Sequence, residues 1–105
     1  MKIILDECLP RRLKEDFKDF SVTTVQDQGW SGKKNGALMK LIEGMFDVFV
    51  TVDRNLTFQV STKKFAIGVV VLAAPTNRYA DLQLLMPKVL KLLPSIKPGQ
   101  TVEVL

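Results

Sequence analysis

The sequence predicts an α/β fold, a three-layer α/β/α sandwich around a mostly parallel central sheet of about five strands. Two observations predict it. Apolar runs of strand length alternate along the chain with segments of helical apolar spacing. The run at 47–52 carries Val48, Phe49, Val50 and Val52, a strong strand signal, and the run at 66–72 reads as a buried strand, as a parallel sheet covered on both faces requires. A length of 105 residues fits one domain with a modest core.

The elements follow in order. Lys2–Leu5 is a short, largely apolar run read as the first strand. Pro10 suits the first turn of a helix, and Leu13, Phe17 and Phe20 follow at helical spacing. Residues 21–25 read as a second strand with Val22 and Val25 facing the core. Residues 26–34 form a polar loop. Asn35 is a plausible cap for a helix carrying Leu38, Leu41, Ile42 and Met45 on one face, with Gly44 ending it. Residues 47–52 give a third strand, 55–61 a short helix or turn, and 66–72 the clearest buried strand. Residues 79–93 are helical in pattern, and Pro87 either kinks that helix or starts a second one. Pro98-Gly99 marks a turn before a last strand at Thr101–Val104. The order is βαβαβαβαβ, and right-handed crossovers would put the strand C-termini at one edge, where open α/β sheets hold their sites.

Composition narrows the chemistry. Cys8 is the single cysteine and histidine is absent, so neither an internal disulfide nor a structural zinc site can form within the chain. A metal would have to be held by oxygen, which points to Mg2+ or Mn2+. No segment approaches the ~20 apolar residues of a membrane span, and the start of the chain lacks a signal-peptide pattern, so a cytoplasmic location and no membrane partner are expected. The net charge of +4 permits a nucleic-acid partner, although on charge alone a solvated basic surface is the favoured reading.

Asp6 and Glu7 follow the first strand and Asp53 follows the third, so all three are expected at the same sheet edge. Carboxylates held close repel unless they share a cation. A divalent ion there could polarise a phosphodiester and acidify a bound water. The bland alternative is that Asp6 and Asp53 cap helical turns and Glu7 is solvated.

At these residues the sequence resembles the PIN-like domains, in particular the short bacterial group related to toxin ribonucleases of toxin–antitoxin pairs. The stretches that carry the resemblance are Ile3-Ile4-Leu5-Asp6-Glu7-Cys8-Leu9-Pro10, Gln28-Gly29-Trp30-Ser31-Gly32 and Asp47-Val48-Phe49-Val50-Thr51-Val52-Asp53-Arg54-Asn55-Leu56. The resemblance implies a metal-dependent ribonuclease with Asp6 and Asp53 as metal-binding, catalytic acids, and Glu7 or Asp27 in support. Thr51 matches the small hydroxyl residue beside the second acid, although an ordinary β-branched strand residue explains it as well. The family carries a further acid at the start of the helix before strand three. Here that segment reads Lys33-Lys34-Asn35-Gly36-Ala37-Leu38, where Asn35 can offer only a neutral oxygen.

Other residues have two readings each. Trp30 could stack on a base or pack as a lid, and the lid is favoured. Arg54 with Asn55, Arg11, Lys33 and Lys34 could meet RNA phosphates or form a solvated surface. Asn77 could help hold substrate or cap a helix. Leu82, Leu85, Met86, Val89, Leu90 and Leu93 exceed one helix face, leaving room for a homodimer or an antitoxin groove, though core packing accounts for most of them. Three functions are therefore in view. The first is a magnesium-dependent ribonuclease. The second is a catalytically degenerate PIN-like module binding RNA or a protein partner. The third is a phosphoacceptor receiver, disfavoured because Lys97 precedes the last strand instead of following it.

Overall fold

The computed structural model describes residues 1–56 and 61–105. Among them, β1 (Lys2–Leu5), β2 (Ser21–Thr24), β3 (Val48–Thr51), β4 (Gly68–Leu72) and β5 (Thr101–Val104) form one sheet. The strand order is β2-β1-β3-β4-β5, and every pairing is parallel. Leu5 pairs with Thr24 on one side and Val50 on the other, so β1 and β2 end level and β3 runs one residue further, to Thr51.

The strands alternate strictly between two cores. Ile3, Leu5, Val48, Val50, Val70 and Leu72 face one side. Ile4, Phe49, Val69 and Val71 face the other. That double burial explains why β1, β3 and β4 read as continuous apolar runs. Helix α1 (Asn35–Ile42) covers the second face with Leu38, Met39 and Ile42. The first face is covered by a 3-10 turn at Arg11–Asp16 and by helices α2 (Tyr79–Gln83) and α3 (Met86–Leu92). The three-layer α/β/α arrangement expected from the sequence is therefore present.

The connections are less uniform than expected. The β1–β2 and β4–β5 connections both lie on the first face, yet they step in opposite directions across the sheet. They are therefore of opposite hand. The β2–β3 connection, through α1, and the β3–β4 connection, through Leu56 and Ile67, lie on the second face and share the hand of β1–β2. Because right-handed crossovers dominate, the odd one is β4–β5. A doubly wound sheet of this order with uniform crossovers would carry that connection on the α1 face, which parts this chain from a receiver-type arrangement. The exception has a packing reason. The first face has only a six-residue 3-10 turn between β1 and β2. Swinging α2 and α3 back lets Leu82, Met86, Val89 and Leu93 join Leu13 and Phe17 over the strands.

Local differences are small and physical. The segment after Pro10 is a 3-10 turn instead of an α-helix, although Leu13 and Phe17 are buried as expected. The N-cap position of α1 is Lys34, and Asn35 is its first helical residue. Gly44 lies beyond the C-cap Glu43 and is not left-handed. Residues 79–93 break into α2 and α3, and Pro87 sits in the first turn of α3, where its missing N–H costs nothing. Gly99 adopts φ +82°, with Gln100 N–H donating to Lys97 O at 3.0 Å. That is the turn Pro98-Gly99 specifies. Leu84 stays 77% exposed and Leu90 38%, while Leu82, Met86, Val89 and Leu93 are core, so packing absorbs most of the apolar excess in this segment. The turn or short helix expected at 55–61 falls largely outside the described residues. Among the described residues, no helix is long and apolar enough to cross a membrane.

Candidate functional site

The connections from β1 and β3 leave toward opposite faces, so the C-terminal ends of these strands are the switch point of the sheet, the place where open α/β sheets bind ligands. Asp6 and Asp53 are placed at that edge. Asp6 continues β1, its N–H donating to Val50 O at 2.9 Å. It is only 9% exposed, in a sheet whose neighbouring strand residues are fully buried. A carboxylate in such a place needs hydrogen bonds. Its Oδ1 accepts the Glu7 N–H at 2.8 Å. Its Oδ2 accepts the Thr51 hydroxyl at 2.7 Å and the Cys8 thiol at 3.5 Å.

Thr51 joins the two acids. It is fully buried at the end of β3, donates its hydroxyl proton to Asp6, and accepts the Asp53 N–H at 3.0 Å on the same oxygen. Its hydroxyl therefore fixes both the Asp6 carboxylate and the backbone that carries Asp53. Asp53 is half-buried, and its Oδ1 accepts the Asn55 N–H at 2.9 Å, an Asx turn that turns the chain away from the sheet. The capping reading of Asp53 is thus part of its geometry. The sequence offered only a weak signal for Thr51, a β-branched hydroxyl two residues before an acid.

The other expected acids are engaged elsewhere. Glu7 is exposed, and its Oε1 accepts the Gly32 N–H at 3.1 Å, latching the 26–34 loop to the end of β1. Gly29 and Gly32 both sit at positive φ in that loop, a conformation glycine adopts at little cost. Asp27 pairs with Arg11 at 2.7 Å and Lys14 at 3.7 Å. Among the described residues, no group of three or more Asp, Glu, Cys or His side chains is placed to hold a metal ion. The four acids expected around one cation are therefore not gathered. The linked pair Asp6 and Asp53 remains. Magnesium commonly keeps several waters and binds through one or two carboxylates plus substrate phosphates. Two carboxylates are enough donors for that mode and too few for a closed protein cage; the link between them runs through the Asp53 backbone N–H, not its carboxylate. Manganese, which shares the preference for oxygen ligands, meets the same donors.

The candidate substrate residues divide. Arg54, Asn55, Lys33 and Lys34 are exposed. Arg11 is exposed too, with its guanidinium paired to Asp27. Asn35 opens α1 and is half-buried. Trp30 packs edge-on against Phe46, with centroids 6.4 Å apart and planes at 88°, so the lid reading describes it.

Cys8 is half-buried against the first core. Burial pushes its thiol above the ordinary value of 9.0, with the Asp6 charge adding to the rise. The folded chain therefore holds this proton at a pH where the unfolded chain has released it. Stability must fall as pH climbs past 9. The expected result is a smaller drop in urea midpoint between pH 8 and pH 10.5 for Cys8→Ala than for the parent; equal drops would contradict it.

Compared with family models, with curated proteins and with solved structures, the chain shows no match.

Proposed function

We propose that this protein is a magnesium-dependent ribonuclease, working at the C-terminal ends of β1 and β3. The observation that supports the reading most is the Thr51 hydroxyl, which ties a buried carboxylate at the end of β1 to the chain segment carrying a second carboxylate after β3. Asp6 and Asp53 would hold the ion, and Mn2+ could replace Mg2+ there. The ion, when bound, supplies polarisation of the phosphodiester and an acidified water. The chain supplies position. Thr51 keeps one oxygen of Asp6 fixed, and the Asx turn at Asn55 fixes Asp53. Arg54, Lys33 and Lys34 offer exposed cations to the phosphates on either side. The resemblance to toxin-related PIN-like domains extends the proposal to an antitoxin protein as partner, to a homodimer and to a cytoplasmic location.

A second reading has its own observation. Glu7 and Asp27 are committed to the loop latch and to Arg11, and the α1 start carries no acid. That pattern favours a PIN-like module that binds RNA or a protein without cutting.

Incubation of the protein with single-stranded RNA separates the two. Cleavage in magnesium that stops on adding a chelator supports the ribonuclease. RNA retained uncut, in magnesium or manganese, would decide for the binding module.

A further inference from the structure

The loop after β4 reaches across the sheet edge to the acidic turn after β1. Residues 6–9 form a tight turn, in which Leu9 N–H donates to Asp6 O at 3.0 Å and Glu7 N–H to the Asp6 side chain at 2.8 Å. The carbonyl of Cys8, in the middle of that turn, accepts the side-chain amide of Asn77 at 3.1 Å, across 69 residues of sequence.

The loop that carries Asn77 is itself anchored. Ala73 N–H donates to Val104 O at 2.8 Å, which holds the start of the loop to β5. The Thr76 hydroxyl donates to the Asp81 carboxylate and accepts the Arg78 N–H, so the residues on both sides of Asn77 are tied to the start of α2. Asn77 is not the N-cap of α2. Arg78 holds that position, without a side-chain cap bond. The capping role considered for Asn77 in the sequence is thus not the one its side chain takes.

We propose that Asn77 is a positioning residue for the acidic centre. By clamping the Cys8 carbonyl, it fixes the turn from which Asp6 meets Thr51. The inference rests on Asp6 being a working carboxylate of the proposed ribonuclease, but the clamp itself can be measured without activity. A turn with both ends in regular structure and a bare middle carbonyl would sample other arrangements. Each of these would move Asp6 relative to Asp53, and misplacement of this kind lowers turnover more than binding.

Two measurements on the full chain test it, with Asn77→Ala, Asn77→Asp, which keeps the shape but loses the donor, and Asn77→Gln, which keeps the donor. The first is amide hydrogen exchange. Loss of one such bond should speed exchange at Glu7 and Leu9 by roughly three- to tenfold in the Ala and Asp variants. Phe49 and Val70, in the sheet centre, should keep their rates, and Gln should restore much of the protection at the turn. The second is magnesium-dependent RNA cleavage, where kcat should fall in the Ala and Asp variants with KM for RNA nearly unchanged. Unchanged exchange at Glu7 and Leu9, or an equal rise at Phe49 and Val70, overturns the clamp. A clear local exchange effect with unaltered kcat overturns its positioning role. If the parent protein cuts no RNA, the ribonuclease reading falls, and the exchange pattern alone decides whether Asn77 holds the turn.

Discussion

Exchange of Asp53 for Asn is expected to remove magnesium-dependent RNA cleavage while leaving the protein folded. The amide keeps the size of the carboxylate and can still accept the Asn55 N–H, so the Asx turn survives. Thr51 bonds the backbone N–H of residue 53, which the exchange does not touch. What disappears is one of two negative charges that would hold the ion. Loss of an outer-shell partner alone costs about 10- to 100-fold in affinity or activity, so loss of a direct ligand should cost at least about 100-fold. Raising the magnesium concentration should recover part of the rate, because the defect lies in ion binding. Cleavage by Asp53→Asn at the parental rate would remove Asp53 from the mechanism. The matching change Asp6→Asn is a poorer probe, since it alters a buried group whose two oxygens accept the Thr51 hydroxyl and the Glu7 N–H and would confound folding with function.

Truncation of Phe49 to Ala should be among the most damaging changes to stability. Phe49 is fully buried in the middle of β3, between Ile4 of β1 and Val69 of β4 on the α1 face. The loss combines the transfer energy of the ring with the cavity it leaves, about 3–5 kcal/mol. Domains of this size hold about 5–15 kcal/mol in total, so the variant should be partly unfolded at 37 °C or close to it. Urea denaturation followed by circular dichroism measures the effect. A loss below about 1 kcal/mol would show that α1 can collapse onto the gap, which the close-packed second core argues against.

The strands were legible because burial on both faces leaves little choice of residue. β1 and β5 have the limits read from the sequence, and β3 and β4 fall inside the runs expected for them. The helical segments were read less well. Leu13 and Phe17 stand four apart, which is α-helical spacing, yet Leu13 lies in a 3-10 turn and Phe17 is its C-cap, so periodicity pointed to the wrong helix type while naming the right core residues. The break between α2 and α3 was half visible, because Pro87 allowed a kink or a new start and only the packing decides. The edge positions of Asp6 and Asp53 followed from strand order alone. The fates of Glu7 and Asp27 did not, because each depends on a contact to a distant segment, Gly32 for one and Arg11 for the other. Thr51 and Asn77 were both singled out in the sequence, but the contacts they make were hidden for the same reason. A hydroxyl that bridges two acids and an amide that spans 69 residues leave no periodic trace.

The reversed sense of the β4–β5 connection bears on how the chain acquires its structure. Ile3, Leu5, Val48 and Val50 belong to the first half of the sequence, yet much of their cover comes from Leu82, Met86, Val89 and Leu93. A nascent chain that has emerged only through β4 would leave one side of its sheet largely wet and greasy. The N-terminal half therefore depends on the C-terminal helices for the cover of its first face. Contacts so distant in sequence slow assembly, and the side of β1 that carries Ile3 and Leu5 is fully covered only once residues 82–93 are in place.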